Sequence, residues 1–345
     1  MKNIFNTINK GKLYFIAEAG INHNGNLSIA KKMVREAKKA GANCIKFQNF
    51  VAEEYISKFS QKAKYQKGKK FSKKSQMEII QATEIGKKNT KKLIEYCKKI
   101  KIDFLTTPFE KKSLDFLMNI KLKTIKVSSC NLNNYPFLKY LSKFEVATIL
   151  STGMANIDEI NKAYKIFKRK KISIALMQCT SNYPSDIKNS HTNVIKLFKK
   201  KFNCPIGYSD HTSNNISAVT AAAFGATFFE KHFTLSRNMP GIDQAASIEP
   251  KELKKYIFDI KNAYLSLGNE NKKCLKEEID TKNALRRSIH AKFTLMPGHV
   301  IKYSDMVMKR PGTGLDSSFI QKLKGRKVKK KILTDTKITF ANLSK

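Results

Sequence analysis

Over most of its length the chain repeats one pattern: a short apolar run, then a longer stretch with apolar positions at helical spacing. The apolar runs fall at 13–19, 43–48, 102–106, 124–128, 147–151, 173–179, 205–208 and 227–232, eight in all. Amphipathic stretches lie between them, among them 28–40, 87–99, 157–169, 193–200 and 217–224. Alternation of this kind predicts parallel strands joined by crossover helices. Eight units in roughly 250 residues predict an α/β protein with a closed (β/α)8 (TIM) barrel rather than an open sheet. A last amphipathic run, 250–267, completes the barrel domain, 1–267. The second unit carries a long insertion, 50–84, expected to cover the barrel mouth; loops of that length are commonly functional.

The texture then changes. Residues 268–283 are polar and charged and predict a linker. The remainder, 284–345, holds short β-like runs with Gly/Pro turns, including MPGH at 296–299 and KRPGTG at 309–314, and predicts a small β-rich module. No repeat of solenoid period and no low-complexity tract is present.

Composition narrows the classes. Apolar residues make up 41% of the chain, enough for a core without disulfide staples. The six cysteines form no CxxC pair or regular framework, which predicts reduced thiols and a cytoplasmic location. No run reaches the length of a membrane span, and the first twenty residues lack the layout of a secretory signal. Formal net charge is +40, which raises the question of nucleic acid. The lysines, however, are spread along the whole chain, and Lys, Asn, Ile and Phe are all abundant, as an AT-rich coding sequence produces. No zinc finger, RNP-like motif or heptad-bearing basic region accompanies them. Neither nucleic acid nor a membrane is therefore expected as a partner. A positive field still draws in a small anionic substrate.

Candidate chemistry gathers at the strand ends, which in a barrel project into one mouth. His211 follows shortly after the seventh run and His232 ends the eighth, two of only six histidines. A lone histidine there is more often a satisfied polar residue, but a pair on adjacent strands suits a divalent transition metal. Lys46 and Lys126 lie within otherwise apolar strands, where an unpaired ammonium is costly. Thr107, Ser129, Ser151, Ser181 and Ser209 also lie at strand ends. Each alone reads equally well as a helix N-cap. Together they make a ring of hydroxyls beside two ammoniums, suited to a phosphate and a carboxylate. Glu18 is read either as a group that positions a sugar hydroxyl or moves a proton, or as an ion-pair partner of Lys46. His23 lies in a tight Asn/Gly turn and has a structural reading. These residues alone suggest a barrel that binds a small phosphorylated anion beside a metal, and leave the reaction open.

The motifs AEAGINHNG (17–25), IKFQ (45–48), TTPF (106–109), KVSS (126–129), LSTGM (150–154), CTSNYP (179–184), IGYSDHT (206–212) and EKHFT (230–234) resemble, in order, those of the sialic acid synthase family. PGID (240–243) resembles that family's PGPD segment, and KRPGTG (309–314) its antifreeze-like, or SAF, domain. The resemblance covers nearly the whole chain. It implies a metal-dependent transferase that condenses phosphoenolpyruvate with an N-acylated hexosamine and releases phosphate. N-acetylmannosamine is the first choice of acceptor. It implies that His211 and His232 hold Mn²⁺, with Mg²⁺ or Co²⁺ as alternatives. Lys46, Thr107, Lys126, Ser129, Ser151, Ser181 and Ser209 match positions that bind phosphoenolpyruvate. Glu18, Gln48, Tyr183 and Asp243 match positions at the sugar, and Glu18, Lys46, Glu230 and Asp243 are the candidates for catalytic work. Arg310 matches an arginine that reaches from the SAF domain into a partner's barrel, which implies a domain-swapped homodimer.

The chain departs from the family pattern at two points. Asn131 stands where many relatives carry an acidic residue, and Gln244 where a histidine is common. Tyr65, Gln66, Ser75 and Gln76 of the insertion are expected near the sugar. Legionaminate and pseudaminate synthases, and a synthase acting on a phosphorylated sugar, share these motifs. A metal-dependent aldolase and a non-catalytic carbohydrate-binding protein are the readings of other classes.

Overall fold

The computed structural model describes residues 3–62 and 75–344. Eight parallel strands form one sheet: β1 Tyr14–Gly20, β2 Cys44–Asn49, β3 Asp103–Pro108, β4 Thr124–Val127, β5 Ala147–Ser151, β6 Ile174–Cys179, β7 Ile206–Asp210 and β8 Phe228–His232. Their order, β3-β2-β1-β8-β7-β6-β5-β4, brings the two ends together, and β3 lies beside β4. This is the near-closed (β/α)8 barrel that the alternating pattern predicts. Every expected strand is present, with ends displaced by no more than two residues.

Eight helices follow the eight strands. They are α2 Leu27–Lys39, α5 Gly86–Ile100, α6 Lys111–Asn119, α7 Tyr135–Leu141, α8 Ile157–Lys168, α9 Val194–Lys201, α10 Ile216–Ala223 and α11 Pro250–Ser266. Local sequence explains their limits. The Asn26 side chain accepts from the amides of Ser28 and Ile29 and so starts α2. Asn156 and Glu159 form a reciprocal capping box at α8. α2 buries Ala30, Met33, Val34 and Ala37, one stripe at helical spacing. α6 and α7 are short, and the pattern along the chain does not single them out.

Side chains alternate across the strands, so each strand serves two cores. Phe15, Ala17, Ile45, Phe47, Phe104, Val127, Leu150, Tyr208 and Phe229 face outward and pack under the helices. Tyr14, Ile16, Cys44, Leu105, Ile149, Met177 and Phe228 face inward and fill the lower barrel. Ile4, Phe5 and Ile8, on and beside the short helix α1 Phe5–Ile8, close that end.

The described parts of the insertion carry α3 Ala52–Tyr55 and α4 Gln76–Gln81. Phe50, Ala52, Ile56 and Ile80 pack with Ile21 and Phe109, which follow β1 and β3, so this part of the insertion lies at the mouth end. Tyr65 and Gln66 lie outside the described residues. Ser75 caps α4 in a capping box with Glu78, which gives it a helix-starting duty. Among the described residues no helix is long and apolar enough to cross a membrane. The six cysteines are free thiols.

The chain divides into two units, Met1–Gly268 and Asn269–Lys345. The second has its own core of Ile289, Ala291, Leu295, Ile301, Leu323, Val328, Ile332, Ile338 and Leu343. Its regular strands are β9 Ser288–Ala291 and β10 Met306–Lys309, paired antiparallel. Isolated bridges such as Leu295 to Ile332 and Val300 to Lys327 hold much of the rest. The stretch expected as a linker is not all extended chain. Ile279–Leu285 forms helix α12, with Glu278 capping the preceding turn.

Candidate active site at the mouth of the barrel

One layer above Ile16, Cys44 and Phe228, the same alternation turns Glu18, Lys46 and Glu230 into the barrel. Lys126 joins them from β4. All four are buried. Lys46 Nζ lies 2.7 Å from Glu18 Oε2 and 3.8 Å from Glu230 Oε1. Lys126 Nζ donates to both Glu230 oxygens, at 3.1 and 3.2 Å. Both ammoniums are therefore paired, and Glu18 makes the ion pair with Lys46 that was one of its two readings. Two cations and two anions alternate in one layer, which offsets the cost of burying each. Burial pushes the Glu230 carboxyl up, but Lys126 and Lys46 outweigh it and hold the group at about 2. Burial raises Glu18, and the negative charge of Glu230 adds to it, against the pull of Lys46. Burial lowers Lys126.

Hydroxyls surround this layer. Thr107 Oγ1 accepts from Lys46 Nζ at 3.3 Å. Ser209 Oγ donates to Glu230 Oε1 at 3.3 Å. The Gly153 amide donates to Ser129 Oγ at 3.1 Å, and Ser129 Oγ lies 3.2 Å from Cys179 Sγ. A Cβ added at Gly153 would lie 2.2 Å from Ser181 Oγ and 3.0 Å from both Cys179 Sγ and Ser129 Oγ. Those three groups thus converge on space that only a glycine leaves open. Ser151 Oγ and Ser181 Oγ are buried without a hydrogen-bond partner. An unpartnered buried hydroxyl is costly, and an anion with several acceptor oxygens would satisfy both. Gly153 and Cys179 were not among the residues expected at the site. The glycine in LSTGM was the available signal.

The two imidazoles stand beside Ser209. His211 and His232 ring centroids are 5.5 Å apart, and the Tyr183 ring lies 4.3 Å from one and 5.3 Å from the other. His211 Nδ1 lies 2.7 Å from Thr180 O. A carbonyl only accepts, so Nδ1 carries the proton and Nε2 is left as the lone-pair nitrogen, 3.4 Å from Ser209 Oγ. His232 Nδ1 is buried without a partner. Burial keeps both rings neutral at ordinary pH, and in His232 the neighbouring His211 adds to the effect. Two neutral imidazoles, one oriented by a carbonyl and one with an orphaned nitrogen, fit a divalent cation. Among the described residues no group of three or more His, Cys, Asp or Glu is arranged to hold a metal. Water or substrate oxygens would have to complete the coordination of any bound ion.

At the rim, Gln48 Nε2 donates to Glu18 Oε1 at 3.2 Å. Asp243 follows β8, and burial followed by the charge of Glu18 pushes its carboxyl up to about 7. Gln244 is buried, donates to Asn22 O at 2.9 Å, and accepts from Thr234 Oγ1. It thereby ties the β1 and β8 loops together next to Asp243. Asn131 Nδ2 donates to Phe109 O at 3.1 Å, so this amide braces the loop after β3. Arg310 follows β10 and belongs to the second unit. His23 Nδ1 accepts from the Gly25 amide at 3.0 Å, as its structural reading requires.

The NeuB family profile matches residues 33–272. The chain is 38% identical to the N,N'-diacetyllegionaminic acid synthase of Campylobacter jejuni, covering 91% of this chain and 95% of that one. It is 33% identical to the N,N'-diacetyllegionaminic acid synthase of Legionella pneumophila, covering 96% and 94%. Among solved structures it resembles the N-acetylneuraminic acid (sialic acid) synthetase from Leptospira borgpetersenii in complex with citrate. The TM-score is 0.70 and the identity 35%, with 79% of this chain and 92% of that one covered.

Proposed function

We propose the reaction of this chain from one premise: it belongs to the NeuB family, the family of the sialic acid synthases, and is a phosphoenolpyruvate-condensing transferase. On our reading it joins phosphoenolpyruvate to the open-chain form of an N-acylated hexosamine and makes a nonulosonic acid. The observation that carries this is the cradle around Gly153 with its unsatisfied Ser181, joined by the unsatisfied Ser151 at the end of β5, in the same barrel mouth as a pair of neutral imidazoles.

The methylene carbon of phosphoenolpyruvate attacks the aldehyde carbon and forms the new C–C bond. Water then adds to the cationic enol carbon, and the tetrahedral intermediate expels phosphate. In this proposal Ser129, Ser151, Ser181, Ser209 and Thr107 hold the phosphate and carboxylate, with Lys46 and Lys126 balancing their charge. Glu230, kept ionised, stabilises the cationic carbon as it forms. Asp243, with its carboxyl at about 7, exchanges protons near working pH, and Glu18 is its partner at the rim. Gln48 and Tyr183 orient the sugar. His211 and His232 would hold a divalent ion, for which the family resemblance implies Mn²⁺ with Mg²⁺ or Co²⁺ as alternatives, and which when bound would act as a Lewis acid on the aldehyde oxygen.

The second unit reads as an SAF domain. Arg310 would serve the barrel of a partner subunit in a homodimer. A cytoplasmic location belongs to the same proposal and is supported by the six free cysteines. The acceptor is N-acetylmannosamine on the family reading. The relatives from Campylobacter and Legionella favour a second possibility. Their product carries two acetamido groups, and phosphoenolpyruvate contributes no nitrogen, so their sugar brings both. Incubating the full chain with phosphoenolpyruvate, Mn²⁺ and a panel of mono- and diacetamido hexoses, with products identified by mass, decides between them. A condensed product from either class supports the proposal, and no product from any sugar contradicts it. Mixing an Arg310→Ala chain with a His211→Ala chain should restore part of the activity that each lacks. No restoration contradicts the shared site.

A further inference from the structure

Two residues outside the candidate list stand immediately before the two imidazoles: Asp210 before His211 and Lys231 before His232. Alternation turns both to the outer face of the barrel wall. Neither reaches solvent there, with Asp210 at 0% and Lys231 at 2% exposure. They are directly opposite each other, and theirs is the last rung of the β7–β8 ladder. Lys231 Nζ lies 2.9 Å from Asp210 Oδ2. The same ammonium donates to Thr212 O at 2.5 Å and lies 5.5 Å from the Tyr256 ring on α11. The other Asp210 oxygen accepts from Thr212 N at 2.9 Å and Thr212 Oγ1 at 2.8 Å. His211 is thus bracketed. The residues on either side of it are bonded to one cation, and that cation belongs to the residue before His232.

Stability gives little reason for this arrangement. A buried ion pair replaced by apolar residues of similar volume is often neutral or stabilising. What a directional pair adds is register. Beyond the last rung no ladder bond joins the two chains, so the spacing of the imidazoles depends on what clamps that rung. We propose that Asp210 and Lys231 are positioning residues, a clamp on the outer wall that fixes the His211 and His232 rings at the spacing a divalent cation requires. The proposal rests on the metal reading above.

The test uses the full chain and Mn²⁺ alone, followed by the electron paramagnetic resonance signal of the ion and by calorimetry. The double variant Asp210→Asn with Lys231→Met removes both charges, keeps an acceptor for Thr212 and conserves volume. It should melt within a few degrees of the parent and bind phosphoenolpyruvate alone as the parent does. Its Mn²⁺ affinity should fall about 10- to 100-fold, the range for lost outer partners of metal ligands. Mn²⁺ affinity within twofold of the parent overturns the proposal. So does an equal loss of both ligands, which marks a general structural role. Should the double variant not fold, Thr212→Val removes one donor to Asp210 at constant volume. A severalfold loss of Mn²⁺ affinity then supports the clamp, and parent-like affinity overturns it. Failure of the underlying metal reading looks different. The parent itself would bind no Mn²⁺, His211→Ala would change nothing, and the clamp would fall with it.

Discussion

At its lower end the barrel is filled by Ile16, Leu105, Ile149, Met177 and Phe228, with α1 as a plug. One layer higher the same strands fill it with Glu18, Lys46, Lys126 and Glu230. The lower layer stabilises by burial alone and needs only shape. The upper layer costs desolvation at every position and is tolerated because each charge meets an opposite one within a few ångströms. The stability that carries such a layer comes from elsewhere, from the lower barrel and from the core under the helices. Changes below should therefore alter folding and spare chemistry, while changes above should do the reverse.

The largest effect is expected at the imidazoles. His211→Ala or His232→Ala should reduce Mn²⁺-dependent turnover by at least the roughly 100-fold that loss of even an outer-shell partner can cost. Melting should change little. Steady-state rates across a Mn²⁺ titration check it, and parent-like turnover in either variant would break the contrast. Below, Phe228→Ala should cost about 3–5 kcal/mol of stability in denaturant unfolding. The apparent affinity for phosphoenolpyruvate should stay near that of the parent under conditions where the variant is folded.

Gly153→Ala sharpens the comparison from the other side. Its methyl group would occupy the space where Ser181, Cys179 and Ser129 converge. Apparent affinity for phosphoenolpyruvate should fall at least about tenfold, the equivalent of one lost charge-assisted hydrogen bond, with the fold intact. Unchanged affinity would remove the cradle from the anion site.

The smallest effect is a pH dependence. The Asp243 carboxyl moves from 3.8 to about 7 in the fold, chiefly by burial. Between those values the unfolded chain has lost the proton and the fold keeps it. Ionisation therefore costs stability that grows as pH rises from about 4 to about 7, then levels off. Asp243→Asn escapes that cost. Its melting temperature should match the parent near pH 4 and exceed it by a few degrees above pH 7. A gap that does not vary with pH would contradict the shift.

Much of the fold was legible because a strand buried on both faces must be apolar, and a helix on its outer face must be amphipathic. That logic brought every strand within two residues of its observed limits. It was weaker for α6 and α7, where few turns carry the period. Within the mouth, the residue types and the Glu18–Lys46 pair could be read, but the other partners could not. Lys126 and Glu230 lie 104 positions apart, and only barrel closure brings them together. Gly153 and Cys179 carry no charge to draw notice; the role of the glycine is the space it leaves. Asp210 and Lys231 sit inside the most recognisable motifs, yet alternation turns them away from the mouth. Asn131 and Gln244, read as departures from the family pattern, each also brace a loop, bonded to Phe109 O and Asn22 O, and those bonds could not be read from the sequence.

The central claim is that this mouth spends phosphoenolpyruvate only on a sugar. Inorganic phosphate released by the full chain with phosphoenolpyruvate and Mn²⁺ should be measured with and without an N-acylated hexosamine. Release that requires the sugar, one phosphate per condensed product, is the predicted result. Release that ignores the sugar, or a condensed product formed with no phosphate released, would contradict it.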